Sequence, residues 1–400
     1  MKVLMFGWEF PPFSSGGLGT ACYGLTRGLS NNKVDVTFVV PYARGAKADY
    51  VKLISAGGLS KVKIKGVESP IEGYMTSEEY EDAKEALSHG GAKNAPKIYG
   101  KNLFAEVERY AKKAELIARH ERFDVIHAHD WMTYKAGMRA KMLSKKPLVI
   151  HVHATEFDRT GGLGVNQRVY DVEREGMHAA DKIIAVSQFT KNKIVEHYGV
   201  PADKIHVVHN AVEQRDISEI KKKGSKLVLF LGRITLQKGP DYFLYAAKRA
   251  LDTNPNIKFV IAGKGDMSPF IIEKAAELGI SDKVLFAGFL RGKEIDDAYR
   301  MADLYVMPSV SEPFGITPLE SMSNGTPVLI SKQSGVSEVI SHCLKADFWD
   351  IDDMANKIVS VLSHDVLQES LTENGNNEVK KFNWDDSARK CINIYNQVIQ

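Results

Sequence analysis

No part of this chain approaches the roughly 20 consecutive apolar residues that span a bilayer. The short apolar start, Lys2–Phe6, is broken by Trp8-Glu9 with no small-residue cleavage site after it, so it reads as a first β-strand and not as a signal peptide. Cysteine is scarce: Cys22, Cys343 and Cys391 form no close-spaced motif. That excludes a disulfide framework and leads us to expect a reducing compartment, the cytoplasm. A strong excess of either charge is also missing. The 53 Lys and Arg against 50 Asp and Glu leave a formal charge of +3, too little for a nucleic-acid binder. The dinucleotide pattern G-x-G-x-x-G does not occur after the first strand, so no nicotinamide cofactor is indicated. Neither does an Asp-x-Asp motif end a strand; Asp350-x-Asp352-Asp353 reads as a loop entering a helix.

What is present is regular alternation. At 400 residues the chain has room for about two domains. Short β-branched runs alternate with helical patterns, which implies parallel sheets covered by helices. The first series predicts strands at Lys2–Phe6, Val34–Val40, Phe123–Ala128, Leu148–Val152, Lys182–Val186 and Ile205–Val208. Between them lie helix patterns at Thr20–Leu29, Asn102–Arg119, Asn166–His178 and Ser187–His197. Residues 45–100, rich in Gly, Lys and Ser, read as an elaborated loop region. The alternation pauses at 212–226, where Glu213, Arg215, Asp216 and the Lys221–Lys223 run suggest a solvated linker. A second series follows at Leu227–Leu231, Lys258–Ala262, Val284–Ala287, Leu304–Met307 and Val328–Ile330. The expected division is therefore a first α/β domain at 1–211, the linker at 212–226 and a second at 227–382. A last helix at 383–400 is free to pack back on the first domain.

Four motifs follow predicted strands, where ligands of such sheets bind. Pro11-Pro12-Phe13-Ser14-Ser15-Gly16-Gly17-Leu18-Gly19-Thr20 joins a strand to a helix. Its glycines permit close backbone approach, and the helix start offers free N–H groups to a phosphate. A tight β-to-α turn is the plain alternative. Gly232-Arg233-Ile234-Thr235-Leu236-Gln237-Lys238-Gly239 places an Arg fork and a mobile Lys charge around one turn, suited to a diphosphate; two surface cations would look the same. Ser311-Glu312-Pro313-Phe314-Gly315-Ile316-Thr317-Pro318-Leu319-Glu320 sets two carboxylates eight apart across a Pro/Gly turn. A helix start that favours Glu accounts for only one of them. Two His-x-His pairs, His127/His129 and His151/His153, each share one strand face. They admit a metal reading, but the reading adopted is different: His127 and His151 are structural, and His129, Asp130 and His153 reach a cleft.

Taken together, these residues resemble the family 4 retaining glycosyltransferases of GT-B architecture, above all the glycogen- and starch-synthase type. The resemblance runs nearly end to end and is weakest at 45–100. Glu312-x7-Glu320 matches the family's paired-Glu motif. Gly232-Arg233 and Lys238-Gly239 match its diphosphate clamp, and Ser309-x-x-Glu312-Pro313-Phe314-Gly315 and Gly335-x-x-Glu338 fit as well. The resemblance implies two Rossmann-like domains facing across a cleft and a nucleotide-diphosphate sugar, ADP- or UDP-glucose, as substrate. It implies no cofactor and no metal. Arg233 and Lys238 would hold the diphosphate, Gly16 and Gly17 would approach it from the first domain, and Glu312 would contact the transferred hexose. Phe314, Gly315 and Ile316 would line the donor, with Glu320 at the ribose and His153 beside the sugar. Asp130, Trp131, Glu156 and Asp158 would face a carbohydrate acceptor. The catalytic set is then Glu312, His153, Arg233 and Lys238. Two departures stand out: Ser15 occupies the place of the synthases' Lys, and Asn210-Ala211-Val212-Glu213 replaces Asn-Gly-Val-Asp. Rival readings are a nucleotide-sugar epimerase of the same fold, a transferase for lipid or small-molecule acceptors, and a non-catalytic sugar-binding subunit. A decayed site would have lost part of the clamp or the carboxylate pair, and both are intact.

Overall fold

The computed structural model describes residues 1–11, 16–41, 51–55, 103–162, 164–215 and 225–399. The loop residues 12–15, including Ser15, most of the 45–100 stretch, and the Lys221–Lys223 run lie outside the described residues.

The chain forms two parallel sheets. The first contains β1 (Lys2–Phe6), β2 (Asp35–Val40), β3 (Lys52–Ser55), β4 (Val125–His129), β5 (Leu148–Val152), β6 (Lys182–Ala185) and β7 (Ile205–Val207). Their order in space is β3-β2-β1-β4-β5-β6-β7. The second contains β8 (Leu227–Leu231), β9 (Lys258–Ala262), β10 (Val284–Gly288), β11 (Leu304–Met307), β12 (Val328–Ser331) and β13 (Leu344–Ala346), in the order β10-β9-β8-β11-β12-β13. Each sheet is wound outward in both directions from its first strand. The chain order therefore reverses between β1 and β4 in one sheet and between β8 and β11 in the other. Loops diverge at such a switch point and leave a crevice at the carboxyl ends of the strands.

Continuous apolar runs build the central strands because both faces are covered. Val228, Leu229 and Phe230 of β8 and all of β11 are buried. Two short strands, β3 and β13, were not expected. They sit toward the sheet edges and mix polar with apolar residues, so they carry little pattern.

Helix starts follow local chemistry. Asn166 caps helix Gln167–Ala179 by accepting from Arg168 and Val169 N–H, and the Ser187 hydroxyl accepts from Thr190 N–H at the start of helix Gln188–Tyr198. The last helix, Trp384–Ile399, crosses to the first sheet and packs on helix Gly17–Asn31. Glycines make that contact close: a Cβ on Gly24 would lie 2.1 Å from the Trp384 ring. At the other end of the helix the Tyr395 hydroxyl meets His127 Nδ1 at 2.6 Å.

Candidate active site

The loop after β4 in the first sheet and those after β8 and β11 in the second lie at the two switch points, and each carries one of the sequence motifs.

In the second sheet, Arg233 leaves the end of β8 and its guanidinium donates to Gln237 Oε1 at 3.1 Å. Gln237 in turn donates to the Ser311 carbonyl at 3.0 Å, which ties the β8 loop to the β11 loop. Lys238 pairs with Glu312 Oε2, and Ser309 Oγ donates to the same oxygen at 3.3 Å. Gly239 turns the chain into helix Pro240–Thr253 at φ 64°, where a Cβ would lie 2.3 Å from the Pro308 carbonyl. Only glycine brings Lys238 this close to the β11 loop. Thr235 Oγ1, between the two cations in sequence, is buried with no partner among the described residues. Glu320 projects from helix Ile316–Ser323 and accepts from the Tyr299 hydroxyl at 3.2 Å. Burial pushes its carboxyl above the usual range, against the pull of Tyr299 and Arg215. Phe314 is buried with its ring 5.9 Å from that of His209, and Ile316 is buried too. Their side chains shape the loop from behind. Gly315, at φ 100°, is the start of the helix.

In the first sheet, Gly16 and Gly17 form the start of helix Gly17–Asn31, and nothing lies within 4 Å of where a Gly17 Cβ would stand. Asp130, after β4, takes φ 56° and ψ 169°, a region that side chains other than glycine's avoid at a cost of about 1–3 kcal/mol. Neighbouring contacts hold it there. Its N–H donates to the His151 carbonyl at 3.0 Å. Its Oδ1 accepts from His153 N–H at 2.7 Å and Ala154 N–H at 3.3 Å. Asp130 is fully buried and joins the ends of β4 and β5, placing His153 at the mouth of the crevice.

The first-sheet residues lie deeper than expected. Of the three expected to reach a cleft, His129 and Asp130 are buried and His153 is half-buried. Trp131 does not present its ring as a platform: it is 5 % exposed and tilts against Phe104. Glu156 pairs with Arg159 and accepts from Asn166 N–H at 3.3 Å. Asp158 is fully buried. Its Oδ1 accepts from Lys193 at 2.7 Å and from Ser311 Oγ at 2.7 Å, a bridge between the two sheets' loops. Burial works against the charge of Asp158, yet Lys193, Thr155 and Ser311 hold its carboxyl below the ordinary 3.8.

Other residues join the halves, and of these Ser187, Thr190 and His209 carried no sequence signal. Ser187 Oγ and Thr190 Oγ1 both donate to the Pro313 carbonyl, at 2.5 and 3.1 Å. Glu338 accepts from Gln188 and Phe189 N–H at the start of helix Gln188–Tyr198, and from His209 at 2.7 Å. One half thus caps a helix of the other. The only available signal was Gly335-x-x-Glu338: a Cβ on Gly335 would lie 2.2 Å from the Pro313 carbonyl.

Comparison with known proteins agrees with this geometry. Residues 15–215 match the family model "Glycosyltransferase Family 4", and residues 212–378 match "Glycosyl transferases group 1". An uncharacterised glycosyltransferase of Methanocaldococcus jannaschii is 31% identical over 99% of this chain and 98% of its own length. A glycogen synthase of Mycobacterium tuberculosis is 25% identical over 99% of this chain and 94% of its own. The solved structure of Anabaena HepE in complex with UDP-glucose superimposes with a TM-score of 0.70 at 16% identity, covering 99% of this chain and 100% of that one. Two wound parallel sheets with their switch points occupied by these motifs, and family models matching both halves, make this chain a glycosyltransferase of family 4 with the GT-B fold.

Proposed function

We propose that the protein transfers glucose from a nucleoside-diphosphate sugar to a carbohydrate acceptor, an α-glucan or short oligosaccharide, with retention of anomeric configuration. The observation that carries this reading is the Lys238–Glu312 pair at the switch point of the second sheet, with Arg233 on the same loop bonded to Gln237. With no donor present, Lys238 and Glu312 satisfy each other. An arriving diphosphate offers Lys238 a stronger anionic partner and frees the Glu312 carboxylate for hexose hydroxyls. Glu320 accepts from the ribose, Thr235 Oγ1 finds a phosphate oxygen, and Gly16 and Gly17 approach the phosphates from the first sheet.

As the sugar–phosphate bond breaks, negative charge grows on the diphosphate. Cations fixed beside it act most strongly in that state. The departing phosphate oxygen takes the proton of the acceptor hydroxyl on the same face of the sugar, which retains the configuration. Burial, opposed by Asp130, keeps His153 below the ordinary 6.5, so it meets the sugar as a neutral imidazole. The two cations neutralise the diphosphate without a metal ion. The division into an acceptor half at 1–211 and a donor half at 227–382, linked at 212–226 with 383–400 returning to the first, belongs to the same reading. The acceptor surface shrinks to His153 and the rim around Glu156, since Asp130, Trp131 and Asp158 are buried. Three free thiols fit a reducing compartment, and among the described residues no helix is long and apolar enough to cross a membrane.

The test offers labelled UDP-glucose and ADP-glucose together with maltooligosaccharides, monosaccharide phosphates and a lipid extract. Chain-extended maltooligosaccharides are expected. Label found only in the lipid fraction contradicts the acceptor assignment.

A further inference from the structure

Behind the crevice of the first sheet lies a group of side chains of which the proposed sugar transfer uses only His153. His127 and His129 on β4, His151 on β5 and His153 just beyond it form a stack, with ring centroids 4.2 to 5.4 Å apart. Helix Gly17–Asn31 covers the stack and brings Cys22 to it. Four imidazoles in an apolar layer are costly unless their nitrogens are used. Here His127 Nε2, His129 Nε2 and both nitrogens of His151 are buried without a hydrogen-bond partner among the described residues. Buried polar groups are ordinarily satisfied, but His127 and His129 find a partner only at Nδ1 and His151 at neither nitrogen.

We infer that Cys22, His129 and His153 form a binding site for a zinc-class transition-metal ion. Sγ of Cys22 and one nitrogen each of His129 and His153 all lie within 4.8 Å of one another. His129 Nδ1 and His153 Nε2 are 2.9 Å apart. Two nitrogens on a tetrahedral zinc ion, each at about 2.0–2.1 Å, stand about 3.3 Å apart, so the pair needs to open by only a few tenths of an ångström. One thiolate and two imidazoles suit a borderline-soft ion and exclude magnesium and calcium, which take oxygen ligands. Three protein ligands also leave a fourth position open, the arrangement of an exchangeable site.

A carboxylate also stands beside the site: Asp130 Oδ1 accepts from the His153 N–H at 2.7 Å. When the ion binds, the thiol proton leaves to solvent. Each imidazole keeps its single proton on the nitrogen that faces away from the metal. Ring nitrogens of His127, His129 and His151 lie within 4.8 Å of one another, so unused acceptors stand beside His129 to orient it. Such outer partners set the tautomer of a metal-bound histidine. The site belongs to the first sheet, on a different element set from Arg233 and Lys238, and it adds a ligand that the transfer reaction does not need.

The test uses tag-free, reduced, full-length protein and needs no sugar transfer, so its outcome is independent of the functional reading above. Equilibrium dialysis against Zn²⁺ should give one ion per chain. Titration with Co²⁺ should give a thiolate-to-cobalt charge-transfer band. Cys22→Ser should erase the band and weaken Zn²⁺ binding at least about tenfold. His153→Gln, at a half-buried position where folding is tolerant, should weaken it to a similar degree. Cys343→Ser should change neither. Absence of a bound ion in the wild type overturns the site. So does a band that survives Cys22→Ser or disappears with Cys343→Ser.

Discussion

The two halves of this molecule use polar residues in opposite ways. In the second sheet, Lys238 and Glu312 pair chiefly with each other, at the mouth of a crevice, in a bond a charged ligand can take over. In the first sheet, Asp130 and Asp158 are buried and held by contacts within the fold. Similar carboxylates after similar strands therefore serve differently. Those of the first half tie loops of the fold together, and Glu312 of the second, buried against Lys238, is the one we propose meets the donor. What separates them is whether the partner is built into the fold.

The sharpest way to break this comparison is Asp158→Asn. Removing one member of a buried ion pair leaves Lys193 uncompensated and should cost about 3–5 kcal/mol of stability, read by denaturant unfolding. The folded carboxyl titrates below 3.8, so its contribution is present above that pH and is lost as pH falls below it. The gap between wild type and variant should therefore be constant from pH 7 to about 5 and close in stronger acid. A stable variant that had lost only acceptor affinity would move Asp158 back to the acceptor surface.

The opposite pattern is expected of the second half. Arg233→Ala and Lys238→Ala should each lower kcat by about 10²–10³, or 2.7–4 kcal/mol, in protein that still folds. Lys238→Ala should also lower the melting temperature, because it leaves the buried Glu312 without its cation. A near-normal rate in either folded variant removes the clamp. Gly24→Ala sharpens the comparison from the packing side. The added methyl meets the Trp384 ring and should cost about 1–3 kcal/mol, seen as a lower melting temperature. The smallest effect belongs to Glu338→Gln. It weakens the cap that one half places on helix Gln188–Tyr198 of the other, and about 0.5–2 kcal/mol should be lost. Although burial pushes the Glu338 carboxyl up, His209 and the two N–H groups hold it below the usual range, so the charge is present at neutral pH. Unchanged stability would show that this cap does not help to hold the halves together.

The sequence made most of the fold legible because parallel strands buried on both faces are written as unbroken apolar runs. Leu227–Leu231, Lys258–Ala262 and Leu304–Met307 were read to the residue. Lys52–Ser55 and Leu344–Ala346 escaped because short strands with polar members carry no such pattern. The second-sheet residues were legible as a motif for a simple reason: Arg233, Gln237 and Lys238 lie within one loop, and Ser309 to Glu320 within another. The fate of the first-sheet residues was not. Asp158 is fixed by Ser311, 153 positions away, and Trp131 by Phe104 across a helix pair. A sequence shows that an Asp follows a strand but not what lies over it.

The measurement that bears most directly on the proposed reaction is the release of nucleoside diphosphate from UDP-glucose and ADP-glucose, with and without maltooligosaccharide, together with the anomeric configuration of the product. Release that depends on the acceptor, with an α-linked product from the α-linked donor, is the expected result. Isomerised donor without release, or no turnover of either donor by the folded protein, would contradict it.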